Sequence, residues 1–187
     1  MKKLLSFIAV AALSLALPTA AGAGLPKASS TLIVPGGSIG GVALGATSGQ
    51  ITTAWGKTPE CKTQCRYPGV APTGETEAFA NVLLESKTDN APYKAWMITI
   101  AVGTKVVGEK AKPDFNTPLT AYKTSKGIGL GSKESELKAA YHGLKTVSDV
   151  AGNKVYELPG GGEKGTIFVL FNSTKITSIT VESHHGG

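Results

Sequence analysis

The chain has 187 residues and a formal net charge of +6, from 19 basic and 13 acidic side chains with a single arginine, Arg66. Because lysines and acids are mixed along the sequence, the composition argues against a nucleic-acid-binding surface and leaves at most a weak association with an anionic envelope. A chain of this length buries about 70% of its unfolded surface, so it can form a core without metals or many disulfides.

The first 23 residues have the pattern of a secretory signal peptide. Lys2 and Lys3 precede an apolar run over residues 4–17, and the small residues at 21–23 offer a cleavage site. The run is shorter than the roughly 20 residues of a spanning helix, so we expect no membrane insertion. No cysteine lies near that site to carry a lipid anchor, which predicts a secreted or periplasmic product. Without the two leader lysines, 17 basic residues face 13 acidic ones, a net charge of +4.

Residues 24–40 are rich in Gly, Ser and Pro and form a predicted lead-in segment, in which residues 31–34 could add an edge strand. The sequence then repeats itself. GVALGATSGQITTAWG at residues 41–56 returns as GIGLGSKESELKAAYHG at residues 127–143. Internal similarity of this kind indicates a duplicated structural unit.

Two strand pairs follow the two copies in the same order. FANVLLES begins at Phe79 and TIFVLFNS at Thr166, while KAWMITI begins at Lys94 and KITSITV at Lys175. All connections suit antiparallel pairing, so we predict an α+β fold of two tandem repeats, each a short helix packed on an antiparallel β-meander, forming one curved sheet. The predicted division is repeat 1 at residues 41–107, a linker with little periodicity at 108–126, and repeat 2 at 127–187.

Each copy carries signals for a short helix. Thr47 and Gln50 have the spacing of a capping box, and Ser132 is the predicted cap of the second helix. Trp55 and Tyr141 stand at matching positions near the helix ends. We predict that these two rings anchor the helices on the core, because an isolated helix of this length is marginal in water.

Alternation along the strands predicts a core face and an outward face of the sheet. Predicted core residues are Ala78, Ala80, Val82, Leu84, Trp96, Ile98, Ile100 and Val102 in the first copy, with Ile167, Val169, Phe171, Ile179 and Val181 in the second. The large apolar residues predicted on the outward face are Phe79, Leu83, Met97, Phe168 and Leu170. Such residues need a cover, for which the alternatives are a separate protein partner, the lead-in or linker, and a second copy of the chain in a homodimer.

Few residues could carry chemistry. Cys61 and Cys65 are the only cysteines of an exported chain, so a structural disulfide is favoured over a redox or metal site. His142 lies at a predicted helix end, and His184 and His185 lie near the carboxyl terminus. The sequence has no nucleophile-elbow serine, no HExxH and no P-loop pattern. We therefore expect no catalytic residues, no metal and no cofactor.

A Gly, small residue, Thr sequence that opens into a short helix before an antiparallel meander, repeated in tandem, resembles the beta-lactamase inhibitory protein family. A single unit also resembles the SmpA/OmlA type of outer-membrane assembly lipoprotein. Residues 45–47 stand where those families usually have Gly, Met, Thr, residues 131–133 are a weaker second match, and the cysteine pair after the first helix is similar. The resemblance implies a curved sheet with helices on one side and a protein-binding face on the other.

The favoured functional hypothesis is an exported, non-enzymatic protein-binding module that uses the outward sheet face and the loop at residues 87–93. The first alternative is a proteinaceous inhibitor of a secreted or periplasmic hydrolase, which would form a stoichiometric complex and abolish activity. The second alternative is a small hydrolase or ligand carrier with a site between the repeats. A pocket lined by converging polar groups would favour that alternative, and a flat apolar face would favour the binding module.

Overall fold

The computed structural model describes residues 24–58, 61–69, 76–86, 88, 91–150, 153–160, 164–171 and 174–183. The predicted signal peptide, His184 and His185 lie outside the described residues. In the described part the helices are α1 (Ser48–Trp55) and α2 (Glu134–Ala140), with a 3-10 helix at Pro118–Ala121. The strands are β1 (Leu32–Val34), β2 (Ser38–Ile39), β3 (Val42–Ala43), β4 (Gln64–Pro68), β5 (Phe79–Glu85), β6 (Lys94–Ala101), β7 (Gly103–Val107), β8 (Lys110–Asp114), β9 (Lys123–Thr124), β10 (Lys145–Val150), β11 (Asn153–Pro159), β12 (Lys164–Phe171) and β13 (Lys175–Ser183).

The main sheet has seven strands in the order β10-β11-β12-β13-β6-β5-β4, and every neighbouring pair is antiparallel. Strands β6 and β13 meet in the interior of the sheet, where Ile100 lies opposite Ile179 and Ile98 opposite Val181. The predicted α+β class with antiparallel sheets is therefore confirmed. No helix among the described residues is long and apolar enough to cross a membrane.

A second, smaller sheet joins the lead-in to the predicted linker. Its order is β3-β2-β1-β9, with β9 parallel to β1. Ile33, Ile39 and Val42 of this sheet are buried in the same core as the main sheet. Strand β8 also falls in the predicted linker and pairs with β7 as a separate hairpin, so residues 108–126 carry regular structure.

The cap of α1 agrees with its sequence signal, and the cap of α2 does not. The Thr47 N–H donates to the Gln50 side-chain oxygen at 2.8 Å, and the Thr47 hydroxyl accepts the Gln50 N–H, which completes a capping box. In α2 the cap is Lys133, whose N–H donates to a Glu136 carboxylate oxygen at 2.7 Å. The predicted cap, Ser132, is wrong because its hydroxyl instead accepts the Gly129 N–H at 3.1 Å.

The turn before each helix forms the same pair of backbone hydrogen bonds with the start of a main-sheet strand, β6 for α1 and β13 for α2. The Gly45 N–H donates to the Ala95 carbonyl at 2.7 Å, and the Ala95 N–H donates to the Ala46 carbonyl at 2.8 Å. Before α2, the Gly131 N–H donates to the Ile176 carbonyl at 2.8 Å, and the Ile176 N–H donates to the Ser132 carbonyl at 2.9 Å. Gly45 and Gly131 both have a φ of 84°, a conformation that glycine adopts without strain.

The core lies between one face of the main sheet and both helices. Ile51 and Trp55 of α1 and Leu137 of α2 are buried in it, and the Trp55 ring meets the Tyr67 ring edge-on at 5.4 Å between centroids. Tyr141 is half-buried and stacks on the ring of Phe168 at 6.2 Å. The two predicted anchor rings therefore both contact the core.

The predicted face of β12 is wrong. Phe168 and Leu170 are 0% exposed and belong to the core, whereas Ile167, Val169 and Phe171 are half-buried residues outside it. The predicted faces assume that β12 repeats β5 with an offset of 87 residues, as between Phe79 and Thr166. The glycines before the two helices, Gly45 and Gly131, are 86 residues apart. Because side chains alternate with a period of two, that one-residue difference reverses every face assignment in β12.

The predicted core position of Trp96 is also wrong, because a β-bulge interrupts β6 at this residue. Ala95 and Ile98 are both buried, although they are three residues apart, because the register with β5 shifts between Leu83 and Leu84. A bulge adds an unpaired residue and breaks the strict alternation of the strand. Trp96 is therefore half-buried, outside the core cluster.

Candidate functional site

The main sheet has a second face, directed away from the helices, which we call the open face. One row of directly paired residues crosses this face from β11 to β5, and its members are Val155, Val169, Ser178, Ala101 and Phe79. Large apolar side chains recur along it. Those assigned to the open face by register and alternation are Phe79, Leu83, Met97, Val155, Ile167, Val169 and Phe171.

None of these seven apolar residues belongs to the core cluster or is among the partly buried residues packed against it. Each is half-buried, which fits side chains shielded by their neighbours on a pleated surface. Ala101 is 7% exposed, although it too lies outside the core cluster. The sheet therefore has two apolar faces, and both helices bury their apolar side chains against only one of them.

Polar groups on the open face are paired across the strands. The Thr99 and Thr180 hydroxyl groups, on the two adjacent strands β6 and β13, are 2.9 Å apart. The Gln64 side-chain amide donates to the Asn81 side-chain oxygen at 3.0 Å. A mixture of apolar side chains with satisfied polar groups is the usual composition of a protein interface.

The structure brings together three of the five residues that the sequence analysis placed on the outward face. Leu83 and Met97 are directly opposite each other on β5 and β6, and Phe79 precedes them on β5. Phe168 and Leu170 are separated from these three by the sheet itself, because they point into the core. Their places are taken by Ile167, Val169, Phe171 and Val155. A spacing of 86 residues, read from the glycines before the helices, would have identified the first three.

The loop at residues 87–93, also predicted as part of the site, lies only partly within the described residues. Residues 87, 89 and 90 are outside them. At its start the Ser86 hydroxyl donates to the Ala91 carbonyl at 2.6 Å, and at its end Tyr93 is 40% exposed.

The predicted disulfide between Cys61 and Cys65 is present, with the two Cα atoms 4.1 Å apart. Cys65 is fully buried on β4, an edge strand of the main sheet, and Cys61 is half-buried beside the core. The Tyr67 hydroxyl donates to the Gly56 carbonyl at 2.8 Å, which also connects β4 to the end of α1. The disulfide therefore constrains the chain that connects α1 to β4, and the Tyr67 hydrogen bond holds β4 beside the end of α1.

Glu134 lies in the first turn of α2, and among the described acidic residues its pKa departs most from the usual value. Its carboxylate lies 2.7 Å from the Lys138 ammonium, accepts a short hydrogen bond from the Tyr156 hydroxyl, and lies 3.2 Å from the Lys154 ammonium. The hydrogen bond from Lys138 and then the one from Tyr156 are the main causes that lower the pKa of Glu134 from 4.5 to about 2. Burial opposes them, and the hydrogen bond from Lys154 adds a smaller lowering effect. The cluster connects α2 to β11, so its geometry explains it as a structural ion pair.

We expect Glu134→Gln to lower the free energy of unfolding at pH 7 by about 1–2 kcal/mol, a value reduced for the exposure of Lys138. Because the folded pKa is below the unfolded one, the carboxylate stabilises the fold above about pH 4.5, and this stabilisation is lost as the pH falls towards 2. Urea unfolding at several pH values should therefore show the difference from the native chain shrinking between pH 5 and pH 2. A constant difference across that range would contradict the ion-pair assignment.

Among the described residues, no group of three or more His, Cys, Asp or Glu side chains could hold a metal ion. His142 is exposed beyond the end of α2. The open face, with its large apolar side chains outside the core, is the candidate functional site.

No known family model, curated protein or solved structure matches this chain.

Proposed function

We propose that this protein is an exported, non-enzymatic protein-binding module that engages its partner through the open face. The observation that carries the proposal is the set of seven large apolar side chains on that face, all outside the core. Apolar groups grouped on one surface favour association, because their burial removes them from water.

The arrangement of the open face suits a protein better than a small ligand. The residues of the set come from four strands, β5, β6, β11 and β12, which are spread across the sheet. Hydroxyl and amide groups that bond to each other lie between these apolar side chains. A protein could therefore cover the face without leaving these groups unpaired. An interface needs both an apolar centre and such a polar surround.

We propose further that the fold is a tandem repeat of two copies, each a short helix packed on an antiparallel meander. Three features support it. Gly131 follows Gly45 by 86 residues with the same φ, and Leu137 follows Ile51 by the same spacing at the buried position of its helix. The turns before α1 and α2 also donate and accept matching hydrogen bonds at the second residues of β6 and β13. The β6–β13 pairing then joins the two copies into one sheet.

The resemblance to the beta-lactamase inhibitory proteins suggests a narrower form of the proposal, in which the partner is a secreted or periplasmic hydrolase. Two helix-and-meander copies in one chain, with a disulfide after the first helix, are the features that favour it. A one-to-one complex with loss of hydrolase activity is the result expected of an inhibitor. A one-to-one complex with activity retained would support binding without inhibition.

The proposal is tested by replacing two open-face residues, Phe79 and Val169, with aspartate. We expect the tagged double variant to lose at least about 90% of the partner that the native chain retains from its host's secreted and envelope proteins, because each carboxylate would be desolvated in the interface. The matched control replaces Val106 and Val107, which are 54% and 45% exposed on β7, in the two-stranded sheet that is separate from the main sheet.

The control variant should retain the partner as the native chain does. Thermal unfolding of both variants separates lost binding from lost folding. Unchanged retention by the folded Phe79 and Val169 variant would refute the open face as the binding surface.

A further inference from the structure

A second candidate site lies on the helix side of the molecule, away from the open face. It is a cleft of about 800 Å³ between α2 and the chain that leads into it, from Thr120 to Ser132. Three lysines line it, Lys123, Lys126 and Lys175, and we call it the lysine cleft.

The three ammonium groups are held in place by neutral partners. Lys123 donates to the Leu130 carbonyl at 3.1 Å, and Lys126 donates to the Ala140 carbonyl at 2.7 Å. The Lys175 ammonium lies 5.3 Å from the centre of the Phe115 ring. None of the three forms an ion pair with a described residue. Their charges are therefore positioned but not neutralised.

A single carboxylate lines the same cleft. It belongs to Glu136, and one of its oxygens accepts the Lys133 N–H at 2.7 Å at the start of α2. Three lysines and one glutamate leave the lining with an excess of two positive charges. Because the three lysines line one open cleft, they raise the local positive potential and attract anions more strongly than scattered surface lysines do.

We propose that the lysine cleft binds a small polyanion, a molecule that carries two or more phosphate or carboxylate groups. Lysine ammonium groups recognise either group as point charges through charge-assisted hydrogen bonds. This binding is additional to the protein contact proposed for the open face, since the two sites share no residue. The source of the anion is either a free solute or the headgroup of an anionic lipid, because both present the same chemistry.

The probes are inorganic tripolyphosphate and citrate, titrated calorimetrically into the native mature chain at low ionic strength. We expect saturable binding by one of them that weakens as salt is added, because the contact is electrostatic. The test variant is Lys126→Gln with Lys175→Gln, which changes two exposed side chains, and it should bind at least about tenfold more weakly. Adding Lys123→Gln should weaken binding further.

The matched control, Lys57→Gln with Lys110→Gln, removes the same charge from exposed positions outside the cleft. It should retain the native affinity. Equal weakening in the control would overturn the proposal, since the effect would then be one of net charge.

Sedimentation with vesicles separates the two sources. Binding to cardiolipin vesicles but not to phosphatidylcholine vesicles, lost in the cleft variant and kept in the control, would assign the anion to a lipid headgroup. Binding of a soluble probe without vesicle binding would assign it to a free solute. Failure of both soluble probes and of cardiolipin vesicles to bind the native chain would overturn the proposal.

Discussion

Phe168→Ala should lower the free energy of unfolding by about 3–5 kcal/mol, whereas Val169→Ala beside it should lower it by about 1 kcal/mol or less. The Phe168 ring is fully buried, lies between Tyr156 and Ile179 on the neighbouring strands, and stacks with Tyr141. Removal of the ring leaves a cavity that the surrounding side chains and strands cannot readily fill by moving inward. Val169 is half-buried on the open face, so its truncation leaves no enclosed cavity.

Urea unfolding of the two variants, with equal m-values as the check on two-state behaviour, measures this contrast. The pair distinguishes the two registers of β12 directly. If Val169→Ala proved the more costly change, β12 would have the register expected from the sequence, and the open face described above would be misassigned.

Gly40→Ala is expected to destabilise the fold by about 3 kcal/mol or more, since it combines backbone strain with overpacking. Gly40 has a φ of 59°, in the region that side chains rarely adopt. An added Cβ would lie 2.5 Å from Tyr122 Cε1 and 2.9 Å from Trp55 Nε1, which are ring atoms of buried side chains. The Gly40 carbonyl also accepts the Trp55 indole N–H at 3.0 Å, so a shift of Gly40 would break that bond.

The matched control is Gly49→Ala, inside α1, where an added Cβ would meet no atom within 4 Å. This change should stabilise the protein by about 0.5–1 kcal/mol, because alanine favours the helix over glycine. Thermal unfolding should therefore move in opposite directions for the two alanines. A tolerated Gly40→Ala would mean that β2 and α1 are not held together as the structure describes.

The sequence signals that predicted the fold correctly were local and strongly patterned. The spacing of Thr47 and Gln50 predicted the capping box of α1, and the alternation from Phe79 to Leu84 predicted the faces of β5. Both depend on contacts within a few residues, which a sequence displays directly. The disulfide between Cys61 and Cys65 was predictable for the same reason.

The incorrect predictions depended on contacts that the sequence does not display. The bulge beside Trp96 and the exact register of β12 are set by cross-strand pairing, and one residue decides which face a side chain occupies. Strand β9 has two residues and pairs with β1 about 90 residues earlier in the chain, so no periodic pattern could have revealed it. The open face was consequently predicted to exist, with three of its apolar residues correctly placed and the contribution of β12 reversed.

If the open face contacts a separate protein, site-specific photo-crosslinking should capture that protein from this face. A photoreactive phenylalanine derivative would replace Val169 in one variant and Val106, exposed on β7, in the control. Each variant would be irradiated with the host's secreted and envelope proteins, and the adducts identified by mass spectrometry. We predict one saturable adduct with a different protein from position 169 and none from position 106. Contact between the open face and a separate protein would be contradicted by any of three results. These are no adduct from position 169, the same adducts from both positions, and an adduct only with a second copy of this chain.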